Sequence, residues 1–176
     1  ELVELLDDPN IWWRLHAQRL LVERQEKDVI PMLRARATTA THDFGRAHAL
    51  WALQGLGAVE DNAIVAALRS DSPLLKCQGL RFAESRVQAS PVVRAAAVAH
   101  AGDVSSRVRF QAAFTLGFAD TFDTVVALRR IAAVDGAHPW TAAAILSSTR
   151  TAGPMLLEAL MLDPSPGGDA IVPALM

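Results

Sequence analysis

The sequence predicts an all-α protein: an α-solenoid of about five HEAT-like antiparallel helix pairs. Two observations predict this class. The 176-residue chain is 51% apolar, has no Tyr and is only 6% aromatic, whereas β-rich folds usually need many aromatic and β-branched residues. The sequence also resembles itself at a period of one helix pair, and such pairs are stable when neighbouring pairs cover their apolar faces.

One small residue in each copy aligns the repeats. These anchors are spaced by 32, 30, 33 and 31 residues and are Ala17, Ala49, Gly79, Ala112 and Ala143. Three positions earlier stand Arg14, Arg46, Lys76 and Arg109, with Trp140 in the fifth copy. Three or four positions later stand the larger residues Leu20, Leu53, Phe82, Leu116 and Leu146. Small anchors allow backbones to approach closely, and the larger residues lie on the same face one turn away.

Capping residues, prolines and glycines set the helix boundaries. A capping side chain precedes a proline at the first helical position in Asp8-Pro9, Ser72-Pro73 and Ser90-Pro91. Prolines are also tolerated in first turns, the position predicted for Pro31 and Pro154. Glycines end helices or mark the turns between them at Gly57, Gly102 and Gly136.

These signals predict five helix pairs in one domain spanning residues 1–176. The pairs are 10–25 with 28–38, 44–56 with 60–70, 73–86 with 91–101, 104–118 with 121–134, and 139–148 with 153–162. The repeats lie near residues 8–40, 43–70, 71–102, 103–136 and 137–163. The opening ELVELL is expected to end a preceding helix, and residues 164–176 to begin a further segment. We therefore expect the chain to be a fragment of a longer multidomain protein.

Acidic and basic residues around the turns refine the repeat type. An Asp is followed five or six positions later by a basic residue in Asp8/Arg14, Asp71/Lys76 and Asp103/Arg109. The Asp can cap a helix start while it reaches the basic residue of a neighbouring repeat. This pattern and the short period are typical of short bacterial HEAT repeats.

Four phrases carry a resemblance to a known family: DDPNIWWRLHAQRLLVER, GRAHALWALQGLGAV, SRVRFQAAFTLG and HPWTAAAILSS. They resemble, in order over nearly the whole chain, the HEAT-repeat region of PVC-type haem-binding (CxxCH), putative membrane-bound dehydrogenase proteins. In that family a sugar-dehydrogenase-like propeller precedes the repeats and a cytochrome c module follows them. The resemblance implies a middle segment of an exported, extracytoplasmic protein, and it carries over no dehydrogenase or haem residue.

Trp12 and Trp13 are the first candidate site residues. They could form a stacking platform for a sugar, a haem or a base. The structural alternative is favoured, because Trp13 shares a predicted helix face with Ala17, Leu20 and Arg24. We expect Trp13 to pack at the repeat interface and Trp12 to lie nearer the edge.

The remaining histidines, cysteine and serines give no pattern typical of a catalytic, cofactor-binding or metal-binding site, so we expect none in this chain. His16 and His48 occupy equivalent positions of successive repeats, but a zinc site needs further ligands and none is evident. Cys77 is the single cysteine, so an internal disulfide and a Cys-x-x-Cys-His motif are excluded. Ser147 and Ser148 lack a nucleophile elbow.

Charge and repeat type leave two functional hypotheses. The favoured one is a non-catalytic scaffold that binds a protein or flanking domains of the same chain. The alternative is a HEAT-like enzyme of the alkylpurine DNA glycosylase kind, which should carry excess positive charge to hold DNA, whereas this chain has net charge −2. We expect no nucleic acid, small-molecule substrate or direct membrane insertion.

A broken basic ridge is the predicted partner surface. The second helices carry Leu33-Arg34, Leu68-Arg69 and Leu128-Arg129, in which each leucine suits the core and each arginine points partly outward. Arg94 stands earlier in its helix, and Trp12 is added as an edge residue. Each arginine alone is explained by its position near a helix C-terminus, which favours a cation. Together they predict docking of an acidic or polar edge.

Overall fold

The computed structural model describes residues 1–149 and 152–176. Helices make up 73% of the chain and no strand occurs among the described residues, so the all-α prediction is confirmed. The chain divides into two compact units, Glu1–Gln78 and Gly79–Met176, which are described separately. The prediction of one repeat domain spanning 1–176 stays a prediction.

The helices of the first unit begin with a short turn and continue as two helix pairs. In order they are α1 (Leu2–Leu5), α2 (Ile11–Arg24), α3 (Ile30–Thr39), α4 (Asp43–Gly55) and α5 (Asp61–Leu68). A 3₁₀ turn, Lys27–Val29, leads into α3, and α6 (Pro73–Ala83) contains the point where the two units divide. Pro31 and Pro73 lie in first turns as predicted. Gly57 follows α4 with a φ of 67°, a conformation that glycine adopts at little cost.

The second unit contains the later pairs and two short C-terminal helices. They are α7 (Pro91–Val98), α8 (Ser106–Leu116), α9 (Phe122–Asp135), α10 (Pro139–Ser147), α11 (Gly153–Leu162), α12 (Pro166–Asp169) and α13 (Val172–Leu175), with a 3₁₀ turn at Ala99–Gly102. Every predicted helix end lies within three residues of the observed one. Ser90 caps α7 by accepting a hydrogen bond from Val93 N, as the Ser-Pro pattern predicted.

Within each unit, helices pack on their counterparts in the neighbouring pair. First helices pack together in the pairs α2 with α4 and α8 with α10. Second helices do so in the pairs α3 with α5, α7 with α9 and α9 with α11. Contacts between nearest neighbours are the packing that an array of helix pairs requires. The arrangement is consistent with an α-solenoid.

The anchor residues occupy the core, with one correction. Ala17, Ala49, Gly79 and Ala112 are buried, but Ala143 is exposed and its neighbour Ala144 is buried. The fifth copy therefore aligns one residue later, at an offset of 32 from Ala112. In this register Thr141, rather than Trp140, occupies the position of the repeated basic residue. Small residues are frequent in α10, and sequence pattern alone did not distinguish adjacent alanines.

Two of the repeated arginines, Arg14 and Arg109, bind the loop at the start of their own helices. The Arg14 guanidinium donates to the carbonyls of Asp8 at 2.6 Å and Pro9 at 2.8 Å. Its central carbon, Cζ, lies 4.0 Å from the centroid of the Phe44 ring. The Arg14 side chain is buried. Arg109 donates in the same way to Asp103 O at 2.7 Å and Val104 O at 3.2 Å. We call this contact the arginine brace.

Two predictions about Asp8 are wrong: that it caps α2, and that it contacts the basic residue of a neighbouring repeat. Asp8 does not cap the helix directly, since α2 begins at Ile11 and the Asn10 side chain accepts from Trp12 N. The Asp8 carboxylate accepts instead from Asn10 N, and the Asp103 carboxylate accepts likewise from Ser105 N. Arg14 contacts the Asp8 carbonyl within the same repeat. The predicted contact between this Asp and the basic residue of a neighbouring repeat is therefore not observed for Asp8.

A carboxylate just before the first full helix joins two loops of the first unit. Asp7 accepts from Thr41 N at 2.8 Å, His42 N at 3.1 Å and the His42 ring at 3.2 Å, and Arg36 lies 3.9 Å away. Burial alone raises the pKa of Asp7, but these hydrogen bonds outweigh it and hold the pKa below its ordinary value. A Cβ on Gly45 would lie only 2.1 Å from the Asp7 carboxylate. Glycine at this position therefore leaves room for the joining carboxylate.

Replacing the anchor Ala112 with leucine is expected to destabilise the protein by about 1–3 kcal/mol, because added methylenes overpack a closed core. Ala112 is fully buried. Urea unfolding measures the change. The matched control is Ala143→Leu, at the exposed residue just before the corrected fifth anchor Ala144, which should change stability by less than about 0.5 kcal/mol. Equal losses for both variants would contradict the corrected register.

Removing the brace at Arg14 is expected to cost about 2–3 kcal/mol, because it leaves two loop carbonyls without their charged donor. Arg14→Lys should keep part of this stability, and Arg14→Ala should lose all of it. Thermal and urea unfolding measure both. The control is Arg19→Ala on the same helix, whose exposed side chain lies 3.5 Å from Glu23 and should contribute about 0.5 kcal/mol or less. An Arg14→Ala protein as stable as Arg19→Ala would show that the brace is dispensable.

Candidate functional site

The start of α2 presents four exposed apolar side chains within five consecutive residues, which we call the aromatic patch: Ile11, Trp12, Trp13 and Leu15. Trp12 is 51% exposed and Trp13 46% exposed. Their ring centroids are 4.6 Å apart in an edge-to-face arrangement, and the His16 ring stacks on Trp12 at 3.9 Å. The His16 ring nitrogen also lies 2.8 Å from Trp12 O. The patch is thus an ordered surface whose rings support one another.

The structure corrects the predicted role of Trp13. The side chains of α2 that face the core are Arg14, Ala17 and Leu21, whereas Arg24 is exposed. Trp13 lies beside this face instead of within the repeat interface. The sequence prediction failed because the buried brace Arg14 takes the inward position, which a pattern of apolar residues does not anticipate for an arginine. The placement of Trp12 at an edge stays a prediction.

Three of the four predicted ridge arginines form ion pairs with acidic residues that come later in the chain. Arg34 pairs with Glu60, and Arg129 pairs with Asp163. Arg94 lies 3.4 Å from Asp123 and also braces Val87 O and Gln88 O. Arg69 is exposed at the C-terminal end of α5, and no described carboxylate forms an ion pair with it. The helix-end explanation therefore applies to Arg69, whereas Arg34 and Arg129 lie within their helices and link successive pairs.

A cleft of about 280 Å³ in the first unit adjoins Arg34. Its floor is apolar and includes Leu50, Leu53 and Leu75. Arg34, Arg46 and Glu60 are the charged side chains of its wall. Arg46 is held by Ala37 O at 3.2 Å and lies 3.7 Å from Asp43, so each of these charges has a partner. The cleft therefore offers apolar contact with little net charge.

A row of polar contacts, absent from the sequence predictions, joins successive first helices. In the first unit, the His48 ring lies 2.6 Å from Gln18 Oε1, and Trp51 donates to Gln78 at 2.9 Å. In the second unit, Arg81 donates to Gln111 at 3.3 Å. We call these contacts the polar ladder. The signal was present in the sequence, since each residue immediately before the first four anchors is polar: His16, His48, Gln78 and Gln111.

The two predicted equivalent histidines do not share a ligand. His16 contacts its own helix, whereas His48 contacts Gln18. Among residues 1–149 and 152–176, no group of three or more His, Cys, Asp or Glu side chains is placed to hold a metal ion. The Cys77 side chain is buried.

The length and apolar character of a helix determine whether it can cross a bilayer. Over the described part of the chain, no helix combines the length and apolar character needed to cross one.

Comparison with known proteins gives no relative to which the chain can be assigned. No protein-family model matches it, and no curated protein gives a significant match. The resemblance in the four quoted phrases therefore stays a prediction.

The ladder residue His48 predicts a stability change in mild acid. Burial lowers the pKa of His48, and the positive charge of Arg14 lowers it further. The folded protein therefore holds the neutral ring, while the unfolded chain takes up a proton as the pH falls through about 6.5. Stability is fully present above this pH and decreases below it, towards the lower pKa of the folded state. His48→Gln should reduce the loss of unfolding free energy between pH 7 and 5, measured by urea titration. The same loss in His16→Gln and His48→Gln would contradict this assignment.

Proposed function

We propose that this chain is a non-catalytic scaffold of HEAT-type helix pairs that docks a protein, or a flanking domain of the same polypeptide. The observation that carries the proposal is the aromatic patch. Its four members lie within five consecutive residues at the start of one helix and all are exposed. A cluster of large, exposed apolar side chains is typical of protein interaction sites.

The composition of the patch supports a protein partner in particular. Tryptophan is among the residues enriched at the energetic centres of interfaces, where its large ring loses contact with water on binding. Asn10 caps the first turn and Arg14 braces it from below. Both tryptophans therefore project from a fixed backbone, and little order has to be gained when a partner binds.

The arginines have a smaller role in this proposal than the sequence predicted. Arg34, Arg94 and Arg129 already hold acidic partners within the chain, so a docking partner would have to displace those contacts. Arg69 remains available to an acidic edge. We therefore assign affinity to the patch, whereas Arg69 contributes salt-dependent steering.

The resemblance to PVC-type haem-binding and dehydrogenase-like proteins suggests what the partner is. Under that resemblance, a propeller or a cytochrome c module of the same polypeptide would contact the repeats outside the cytoplasm. The chain itself would supply position and spacing rather than chemistry. A separate protein whose surface has an apolar recess would cover the same patch.

A photo-crosslinking amino acid at Leu15, between the tryptophans and His16, tests the proposal in cells of the native host. We expect a crosslink to one defined protein, or to another segment of the same polypeptide, identified by mass spectrometry. The double variant Trp12→Ala, Trp13→Ala should abolish it, because the rings supply most of the buried area.

The control places the same crosslinker at Val134, an exposed residue of α9, which should not give that product. Circular dichroism should show that the double variant folds, because both side chains are exposed. A crosslink that persists without both tryptophans, or one to nucleic acid, would contradict the scaffold proposal. The nucleic-acid product would favour the DNA-binding enzyme considered from the sequence.

A further inference from the structure

A second cleft, of about 380 Å³, lies in the second unit between the starts of α8 and α10. Its volume falls within the range of roughly 300–1,000 Å³ that small-molecule sites occupy. Two aromatic rings, Phe110 and Trp140, line it together with Arg107, Asp135 and His138. The cleft thus combines flat apolar surfaces with several polar groups, the usual make-up of a ligand site.

Trp140 gives the cleft an accessible stacking surface. Its side chain is 72% exposed, although tryptophan is on average among the more buried residues. The corrected register explains this exposure, because Thr141 is the residue that turns inward at the start of α10. Phe110 is held from the other side by Phe114, with ring centroids 5.1 Å apart in an edge-to-face arrangement.

Asp135 supplies a carboxylate in a fixed orientation. Arg109 donates to it twice, from Nε at 2.6 Å and from Nη2 at 2.8 Å. The same guanidinium braces Asp103 O and Val104 O, so the carboxylate is tied to the loop before α8. The hydrogen bond with Asp135 is the main cause that raises the pKa of Arg109 above its ordinary value. Each carboxylate oxygen retains further acceptor capacity.

The charges of the cleft select the ligand class. Asp135 is balanced by Arg109 behind it, so the wall does not attract a cation strongly. Arg107 also lines the cleft but is exposed to solvent, where its charge is screened. Its carboxylate also disfavours an anion beside it. A neutral molecule with several hydroxyls fits better, since hydroxyls both donate and accept and the apolar face of its ring can stack on an indole. We propose that this cleft binds a neutral saccharide, with one sugar ring stacked on Trp140 and its hydroxyls on Asp135 and His138.

Saturation-transfer NMR on the whole chain tests this site with named probes. These are the methyl glycosides of glucose, galactose, mannose and N-acetylglucosamine, with methyl glucuronide and choline as charged comparisons. We expect at least one neutral glycoside to bind, with its ring protons closest to the protein. Trp140→Ala should weaken that binding by about tenfold through loss of stacking, and Trp140→Phe should weaken it less.

Phe122→Ala is the matched control, because it removes an exposed aromatic ring at the first residue of α9, outside the cleft and the aromatic patch, and should leave saccharide binding unchanged. Circular dichroism should show that all three variants keep their helices. Choline or glucuronide binding that depends on Trp140, with no neutral glycoside bound, would overturn the assigned ligand class. Glycoside binding that survives Trp140→Ala, or no binding by any probe, would overturn the site. These outcomes are independent of the crosslinking result at Leu15, so either proposal can fail alone.

Discussion

The arginine brace is the contact on which the exposed features of both units depend. A guanidinium that is nearly removed from water needs hydrogen-bond acceptors, and here one of its terminal nitrogens donates to two carbonyls of the loop before its own helix. The loop and the first turn therefore become one rigid element. In the first unit that element carries the aromatic patch. In the second, the same guanidinium continues to Asp135 and orients one wall of the cleft.

The polar ladder complements the apolar core. Contacts between alanines and leucines favour close packing of neighbouring helices but tolerate small shifts along their axes. A hydrogen bond such as Trp51–Gln78 or His48–Gln18 is satisfied at only one relative position. The ion pairs Arg94–Asp123 and Arg129–Asp163 add links between successive second helices. We infer that polar contacts set the register of the pairs and that the small apolar anchors supply the packing energy.

Much of the fold could be predicted from the sequence because its signals are local. Prolines in first turns, the cap at Ser90 and the glycine after α4 each act within a few residues. The side-chain assignments were less complete because they depend on tertiary contacts. The apolar pattern predicted Trp13 at the repeat interface, and the repeat alignment predicted Trp140 at the position of the repeated basic residue. In the structure Arg14 and Thr141 occupy the inward positions. The partners of Arg34 and Arg129 lie 26 and 34 residues away, beyond the reach of helical periodicity.

The carboxylate of Asp7 bears on where the folded unit can be trimmed. The first full helix begins at Ile11, and a boundary drawn there would appear to preserve every repeat. It would also delete the acceptor of two backbone N–H groups at Thr41 and His42, together with the buried side chains of Val3 and Leu6. The loop between α3 and α4 would then lose its attachment more than thirty residues from the cut. In this protein the contacts that hold the first repeat extend N-terminal to its first full helix, to Asp7, Leu6 and Val3.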